Sequence, residues 1–147
     1  MTTIHASAVL VGARAVLIRG PAGSGKSSLA FALIQVGEAG TLPFTRLVGD
    51  DRLHVEAAHG RLVVRPAAAL AGRIEIRGLG IRRVPFEPVA VVGIVVDLGA
   101  ADAERLPPAI SAVTEITGVS LPRLAVAPGT DALSLLIAAL RTLKSDR

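Results

Sequence analysis

The sequence contains no cysteine, tryptophan or tyrosine and only three phenylalanines in 147 residues. Without cysteine, disulfide bonds and thiolate metal sites are excluded, a composition that fits a cytoplasmic protein. Aromatic residues make up 2% of the chain, which excludes recognition of single-stranded nucleic acid by base stacking. The hydrophobic share is 51%, so the core must consist of valine, leucine, isoleucine and alanine.

Long apolar runs and clustered charges are also missing. The longest apolar stretch, 89–101, contains Asp97 and is shorter than the about 20 apolar residues of a membrane span. The N-terminus lacks the positively charged start of a signal peptide. The net charge of +4 is distributed along the chain, and no basic run is longer than Arg82-Arg83, which is not a nucleic-acid footprint. We expect a cytoplasmic protein with one domain, 1–147, that binds neither nucleic acid nor membranes.

Short apolar and β-branched segments separated by turn residues predict a strand-rich α/β chain. The predicted strands are 4–11, 15–19, 47–55, 61–65, 74–77, 81–84, 89–96 and 124–126. The segment 89–96 is wholly apolar, which is typical of a central strand buried on both faces.

Two helices are predicted, one near each end of the chain. The first spans 26–36, because apolar residues recur on one helical face, and Gly37 supplies a stop signal. The second follows Pro128-Gly129, with Thr130 as its predicted N-cap. The cations Arg141 and Lys144 are expected in its last turn, where the helix dipole favours them.

A glycine-rich segment between the second strand and the first helix matches the P-loop pattern G-x-x-x-x-G-K-[ST]. Its residues are Gly20, Pro21, Ala22, Gly23, Ser24, Gly25, Lys26 and Ser27, followed by Ser28. Glycines let successive backbone amides converge on phosphate oxygens, and the helix start adds partial positive charge. In this motif the lysine reaches the β- and γ-phosphates, and the serine hydroxyl binds Mg²⁺.

Two further segments carry acidic residues downstream of the P-loop. Asp50-Asp51 follows the apolar pair Leu47-Val48 and resembles the end of a Walker B strand. Side chains alternate along a strand, so both aspartates can face a phosphate only where the strand ends. The second segment is 74–81, in which Glu75 is a candidate Mg²⁺ ligand. An ordinary strand–turn–strand with exposed charges explains this second segment equally well.

The three segments, in this order, resemble the catalytic C-terminal domain of bacterial HPr kinase/phosphorylase. Residues 20–27 look like its P-loop, and 47–52 is similar to its Asp-Asp motif. Residues 74–81 read Ile-Glu-Ile-Arg-Gly-Leu-Gly-Ile and resemble the family signature Leu-Glu-Ile-Arg-Gly-Leu-Gly-Ile. The resemblance includes 4–6, similar to the family's Met-His-Gly, and is strong over 4–84.

The resemblance implies an α/β fold of the P-loop HPr kinase type, related to phosphoenolpyruvate carboxykinase. Such a domain has a strand-rich core sheet with few flanking helices. It also implies a serine kinase that uses ATP and Mg²⁺ and phosphorylates HPr, the phosphocarrier of the phosphotransferase system. The family resemblance further implies a homo-oligomer, a hexamer in relatives.

By residue match, the family resemblance assigns roles to individual side chains. It implies that Lys26 contacts the phosphates, and that Ser27, Glu75 and Asp50 form the metal shell. Asp51 is the expected base for the serine proton, with Asp50 as its neighbour. The remaining matched residues are His5, beside the phosphates, and the signature residues Arg77, Gly78 and Gly80.

The sequence departs from the family pattern in three places. It begins at the catalytic part, so we expect a short form without the family's N-terminal domain. The loop 85–88 is short and lacks the family's active-site arginine, for which Arg82 or Arg83 is a candidate replacement. The later family loop, Pro-Val-Lys-x-Gly-Arg-Asn, is represented by 127–131 without its basic residues. We therefore expect weak or absent phosphorylase activity, the reaction in which inorganic phosphate attacks phosphoserine.

Two alternatives keep the P-loop but change the function. One is a small-molecule kinase or nucleoside triphosphatase with a different acceptor. The other is a non-catalytic, nucleotide-binding regulatory module, which need not retain His5, the Asp50-Asp51 pair and Glu75 together.

Overall fold

The fold is built around one long apolar strand, β9 (Ala90–Leu98). In the computed structural model, which describes residues 1–142, β9 pairs in parallel with β3 (Arg14–Arg19) and with β11 (Val119–Val126). The adjacent residues Val95 and Val96 are both fully buried, and each belongs to a different hydrophobic core. The expected central strand, buried on both faces, is thereby confirmed.

Ten strands other than β9 and two α-helices complete the described part of the chain. The other strands are β1 (Thr2–Ile4), β2 (Ser7–Val11), β3, β4 (Thr45–Gly49), β5 (Leu53–Ala58), β6 (Arg61–Pro66), β7 (Arg73–Ile76), β8 (Gly80–Arg83), β10 (Val113–Ile116) and β11. The helices are α1 (Lys26–Glu38) and α2 (Ala132–Arg141). Short 3-10 turns occupy Ala68–Leu70 and Ala109–Ala112.

The strands form one large mixed sheet and one small hairpin. The large sheet has the order β1-β5-β6-β9-β3-β2-β4, and β11 and β10 extend it from β9. Strands β7 and β8 pair only with each other, as an antiparallel hairpin. This architecture confirms the predicted mixed α/β fold with a strand-rich sheet and few helices. No helix of the described residues is long and apolar enough to cross a membrane.

Two hydrophobic cores cover the two faces of the sheet. The core on the helical side joins Leu33 of α1 and Leu136 of α2 to the sheet through Val96. The opposite core is closed by the β5–β6 and β10–β11 hairpins, which contribute Leu53 and Leu121. Each fully buried aliphatic side chain contributes about 1.5–3 kcal/mol, so a chain almost without aromatic residues still has a substantial core.

Three predicted strand boundaries were wrong. The predicted strand 4–11 is divided at His5-Ala6, because β1 pairs with β5 whereas β2 pairs with β3 and β4. The predicted strand 47–55 is interrupted at 50–52, where the chain turns between β4 and β5. Strand β11 begins at Val119, well before the predicted start at 124. The prediction missed this part because Pro122 and Arg123 interrupt its apolar pattern. Strand β10 (Val113–Ile116) was not among the predicted strands, because its four residues show little apolar periodicity.

The N-cap of the second helix lies one residue after the predicted one. Its N-cap is Asp131, not Thr130, and the Asp131 carboxylate accepts hydrogen bonds from the backbone amide and the hydroxyl of Ser134. A carboxylate is the stronger acceptor and also favours the positive helix start. Arg141 lies in the last turn as predicted, whereas Lys144 lies outside the described residues.

A cluster of ion pairs ties the three parallel strands together beside the P-loop. Asp97 of β9 accepts a bidentate pair from Arg19 of β3, at 2.7 and 2.9 Å, and a hydrogen bond at 2.5 Å from Arg123 of β11. Arg123 also binds Asp102 through two hydrogen bonds. Burial acts to raise the pKa of Asp97, but the hydrogen bonds and charges of the two arginines outweigh it and lower that pKa.

This cluster predicts an acid-sensitive contribution to stability. Because the folded-state pKa of Asp97 lies below its ordinary value of 3.8, the contribution is present above that value and is lost as the pH falls through the folded-state pKa. At pH 7, Asp97→Asn should lower the free energy of unfolding by about 1–3 kcal/mol. Urea unfolding of the wild type and of Asp97→Asn, at pH 7 and at low pH, measures how much the substitution lowers the free energy of unfolding at each pH. Glu115→Gln, an exposed substitution on β10, should lower it at neither pH, and an Asp97→Asn deficit that is independent of pH would contradict the assignment.

Candidate active site

The P-loop connects the end of β3 to the start of α1, and its backbone requires glycine for two different reasons. Gly25, the residue before α1, has a φ of 95°, a left-handed conformation that side chains rarely adopt. A Cβ at Gly20 would lie 2.5 Å from the Ser24 hydroxyl and 3.2 Å from the Leu98 carbonyl oxygen. The loop is therefore packed closely against the end of β9.

Lys26 folds back over this loop. Its ammonium group donates hydrogen bonds to the carbonyl oxygens of Gly20 at 2.9 Å and Pro21 at 3.3 Å. These bonds hold one positive charge beside the loop's backbone amides, where phosphate oxygens bind in this motif. The Ser24 hydroxyl oxygen is buried in the same loop without a hydrogen-bond partner among the described residues.

Asp50 lies at the centre of the site and is only 4% exposed. Its carboxylate accepts hydrogen bonds from the Ser27 hydroxyl at 2.8 and 2.9 Å and from the Ser7 hydroxyl at 2.5 Å. It also accepts one from the backbone amide of Glu75 at 3.1 Å. One buried carboxylate thus joins the P-loop serine, strand β2 and the β7–β8 hairpin.

Asp51 differs from its neighbour in both backbone and environment. Its φ is 70°, and the Arg52 amide donates to the Asp50 carbonyl oxygen at 2.8 Å across it. This tight three-residue turn breaks the alternation of a strand. Consequently Asp50 is buried under the P-loop, whereas Asp51 is exposed and lines a cavity in front of it.

The cavity in front of the P-loop, which we call the phosphate cavity, has a volume of about 650 Å³. It brings together charged or polar side chains that are far apart in sequence: His5, Lys26, Ser27, Asp51, Glu75 and Arg77. Gly78 and Gly80 of the hairpin turn also line it. The hairpin is held in place by Ile74, which is 1% exposed in the helical-side core.

Two features of the cavity differ from what the sequence indicated. Arg82 and Arg83, the candidate replacements for the family's loop arginine, are exposed on β8 and do not line the cavity, whereas Arg77 does. Sequence reasoning also missed Ser7, which is fully buried and donates to Asp50. A serine at the start of an otherwise apolar strand was the signal that could have identified it.

The oxygen ligands present fit a Mg²⁺ ion that is bound together with a phosphate. The Ser27 hydroxyl proton is directed to Asp50, so the lone pairs of its oxygen are free for a metal, and Glu75 supplies a carboxylate to the same cavity. Within residues 1–142 no three His, Cys, Asp or Glu side chains form a complete metal cage. Mg²⁺ in phosphoryl transfer commonly uses one or two carboxylates plus substrate phosphates and water.

A glycine-rich loop between a parallel strand and a helix, with its lysine and serine in place, puts the chain among the P-loop proteins. A family model described as the HPr Serine kinase C-terminal domain matches residues 1–146. The chain therefore belongs to this family, as its motifs indicated.

Individual relatives agree with the family assignment. The HPr kinase/phosphorylase of Clostridium tetani is 37% identical over 84 residues, which are 57% of this chain and 25% of that protein. The HPr kinase/phosphorylase of Streptococcus thermophilus is 41% identical over 81 residues, 54% of this chain and 24% of that protein. The matched part is thus about a quarter of these relatives' length.

The fold is similar to that of a solved structure. The Hpr(Ser) kinase/phosphatase from Coxiella burnetii superposes with a TM-score of 0.78 at 25% sequence identity. The match covers 96% of this chain and 95% of that one, so it extends beyond the motifs to the C-terminal part, where the sequence resemblance is weak.

The different environments of the two aspartates predict different effects on stability. Asp50→Asn should lower the free energy of unfolding by about 1–3 kcal/mol, because a buried charged acceptor for three donors is lost. Asp51→Asn should change it by less than about 0.5 kcal/mol, because the side chain is exposed and asparagine tolerates positive φ. Urea unfolding of the two variants provides the comparison. Equal losses would show that Asp50 does not organise the site.

Proposed function

We propose that this chain is the catalytic domain of a serine protein kinase that uses ATP and Mg²⁺ to phosphorylate HPr. The observation that carries the proposal is the phosphate cavity, in which the P-loop residues Lys26 and Ser27 face Asp51 and Glu75. The names of the relatives, HPr kinase/phosphorylase, support the reaction and the acceptor.

The P-loop side of the cavity binds and orients the nucleotide. Bound ATP and Mg²⁺ supply the transferable phosphoryl group and a compensating divalent charge. Lys26 exchanges its bonds to the loop carbonyls for bonds to the terminal phosphates, and the loop amides contact the phosphate oxygens. Ser27 and Glu75 provide the metal ligands. Asp50 keeps Ser27 in position as hydrogen-bond acceptor, and it contributes to the metal shell through that serine.

Asp51 is the proposed general base. Asp51 is exposed and lines the phosphate cavity together with the P-loop residues Lys26 and Ser27, so an incoming acceptor can reach it. It orients the acceptor serine and accepts its proton as the serine oxygen bonds to the γ-phosphorus, while the bond from that phosphorus to the bridging oxygen breaks and ADP leaves. His5, exposed at the same cavity, contacts the phosphates, and Arg77 of the hairpin adds positive charge where the terminal phosphate is transferred. By family resemblance, the active form is a cytoplasmic homo-oligomer.

The direct test is transfer of label from γ-labelled ATP, with Mg²⁺, to purified HPr. An HPr whose acceptor serine is replaced by alanine provides the control. Label on the first protein alone supports the proposal. Nucleotide binding or hydrolysis without label on HPr would contradict it and favour another P-loop kinase or a regulatory module.

Two substitutions separate binding from chemistry. Asp51→Asn should lower the transfer rate about a hundredfold or more, because the base is lost, while leaving nucleotide affinity unchanged. Lys26→Ala should remove about 3 kcal/mol of transition-state stabilisation and weaken nucleotide binding as well. Single-turnover transfer and equilibrium binding are measured on the same preparations, with Glu115→Gln as the matched surface control. Unchanged transfer in Asp51→Asn would refute the base assignment.

We also propose that the reverse, phosphorylase reaction is weak, although inorganic phosphate fits the P-loop. The loop 127–131 carries no basic residue at the place where the family's dephosphorylation loop has a lysine and an arginine. Incubation of phosphoserine-HPr with phosphate should release pyrophosphate far more slowly than the kinase reaction transfers phosphate. Pyrophosphate release at a rate near the kinase rate would contradict this expectation.

A further inference from the structure

A second cavity lies on the other side of the P-loop, between α1, α2 and the loop that joins β11 to α2. Its volume is about 620 Å³, which falls within the range of small-molecule sites, roughly 300–1,000 Å³. We call it the α1–α2 cavity. The small side chains of Ala32, Ala127 and Ala132 leave this space open.

The two cavities differ in charge. The phosphate cavity contains Lys26, Asp51, Glu75 and Arg77. Within residues 1–142, no charged side chain lines the α1–α2 cavity. Its walls are the apolar side chains of residues such as Leu29, Leu98 and Leu133, together with Thr130 and loop backbone. Because an unpaired charge is costly to bury against apolar walls, this cavity suits an uncharged, partly apolar group.

The P-loop itself is the wall that the two cavities share. Ala22, Gly23, Gly25 and Ser28 line both of them. A chain of phosphates whose terminal group lies near Lys26 and Asp51 has its other end at these shared residues. A group attached at that end would lie next to the uncharged cavity.

We propose that the α1–α2 cavity binds the nucleoside of the nucleotide whose phosphates the P-loop holds. This inference rests on the proposed function and adds the site for its uncharged part. No aromatic residue lines the cavity in the described part of the chain, so the base is held by aliphatic contacts from Leu29 and Leu133 and by polar groups of the 127–130 loop. The Asp131 cap fixes that loop against α2.

The test compares a ligand that has a nucleoside with one that has only phosphates. ATP and inorganic tripolyphosphate, each with Mg²⁺, are titrated calorimetrically into the wild type and into Ala32→Phe, which fills the cavity from α1. Ala139→Phe serves as the matched control, because Ala139 is exposed on α2 and outside both cavities. Ala132→Leu fills the opposite wall and replaces Ala32→Phe if that variant fails to fold by circular dichroism.

The inference predicts a selective loss. In Ala32→Phe, the affinity for ATP should fall at least about tenfold, while the affinity for tripolyphosphate stays within about twofold of the wild type. The control should bind both ligands normally. A parallel change in both affinities, or no change in either, would overturn the nucleoside assignment.

Two other results would contradict the nucleoside site, and each would point to a different role for the cavity. If the wild type binds tripolyphosphate as tightly as ATP, the P-loop binds phosphates but the cavity does not hold a nucleoside. If Ala32→Phe raises the KM for HPr and leaves ATP affinity intact, the cavity is a docking surface for the protein acceptor. If the wild type binds neither ATP nor tripolyphosphate, the proposed function itself is contradicted. If it binds both equally, only the nucleoside site is contradicted.

Discussion

The arrangement of the site depends on one buried carboxylate. Asp50 accepts hydrogen bonds from Ser7 at the start of β2, from Ser27 of the P-loop and from the Glu75 amide of the hairpin. These three groups belong to different elements and have no other direct bond to one another among the described residues. A buried carboxylate with three donors is satisfied, whereas an unpaired one is costly. The folded state therefore favours the arrangement that also brings Ser27 and Glu75 to one cavity.

The sheet provides the frame in which this carboxylate acts. Strand β3 delivers the P-loop, β4 delivers the aspartate pair, and the hairpin is anchored through Ile74. The ion pairs of Asp97 with Arg19 and Arg123 fix the relative positions of β3, β9 and β11 directly beside the loop. Core contacts hold each element in the sheet, and the Asp50 carboxylate joins the P-loop, β2 and the hairpin to one another.

Much of the site could be predicted from sequence because its chemistry resides in local motifs. The P-loop pattern specifies its own backbone, and the matched family segments indicated that His5, Asp51 and Glu75 act together. The structure places all three in one cavity with Lys26. The inward position of Asp50 and the outward position of Asp51 follow from a tight turn with positive φ. Strand alternation can break at a strand end, but the residue types alone do not determine which aspartate points inward.

The parts that sequence reasoning missed depend on long-range pairing. Ser7 is recognisable as a site residue only when β2 packs beside Asp50, and the break at 5–6 exists because β1 and β2 join different neighbours. Strand β10 has little apolar periodicity and is stabilised by its hairpin with β11. Such features depend on the partner strand, so local patterns do not encode them.

The most direct test of this account is a double-mutant cycle on Asp50 and Ser27, with the Mg²⁺-dependent part of ATP affinity as the readout. If Asp50 acts mainly by orienting Ser27, Asp50→Asn should weaken that affinity in the wild type, and its further effect in Ser27→Ala should be limited to the part that passes through Glu75, whose amide also donates to Asp50. The two losses would then be strongly non-additive. Losses that simply add would contradict the account, because Asp50 would then act independently of the P-loop serine.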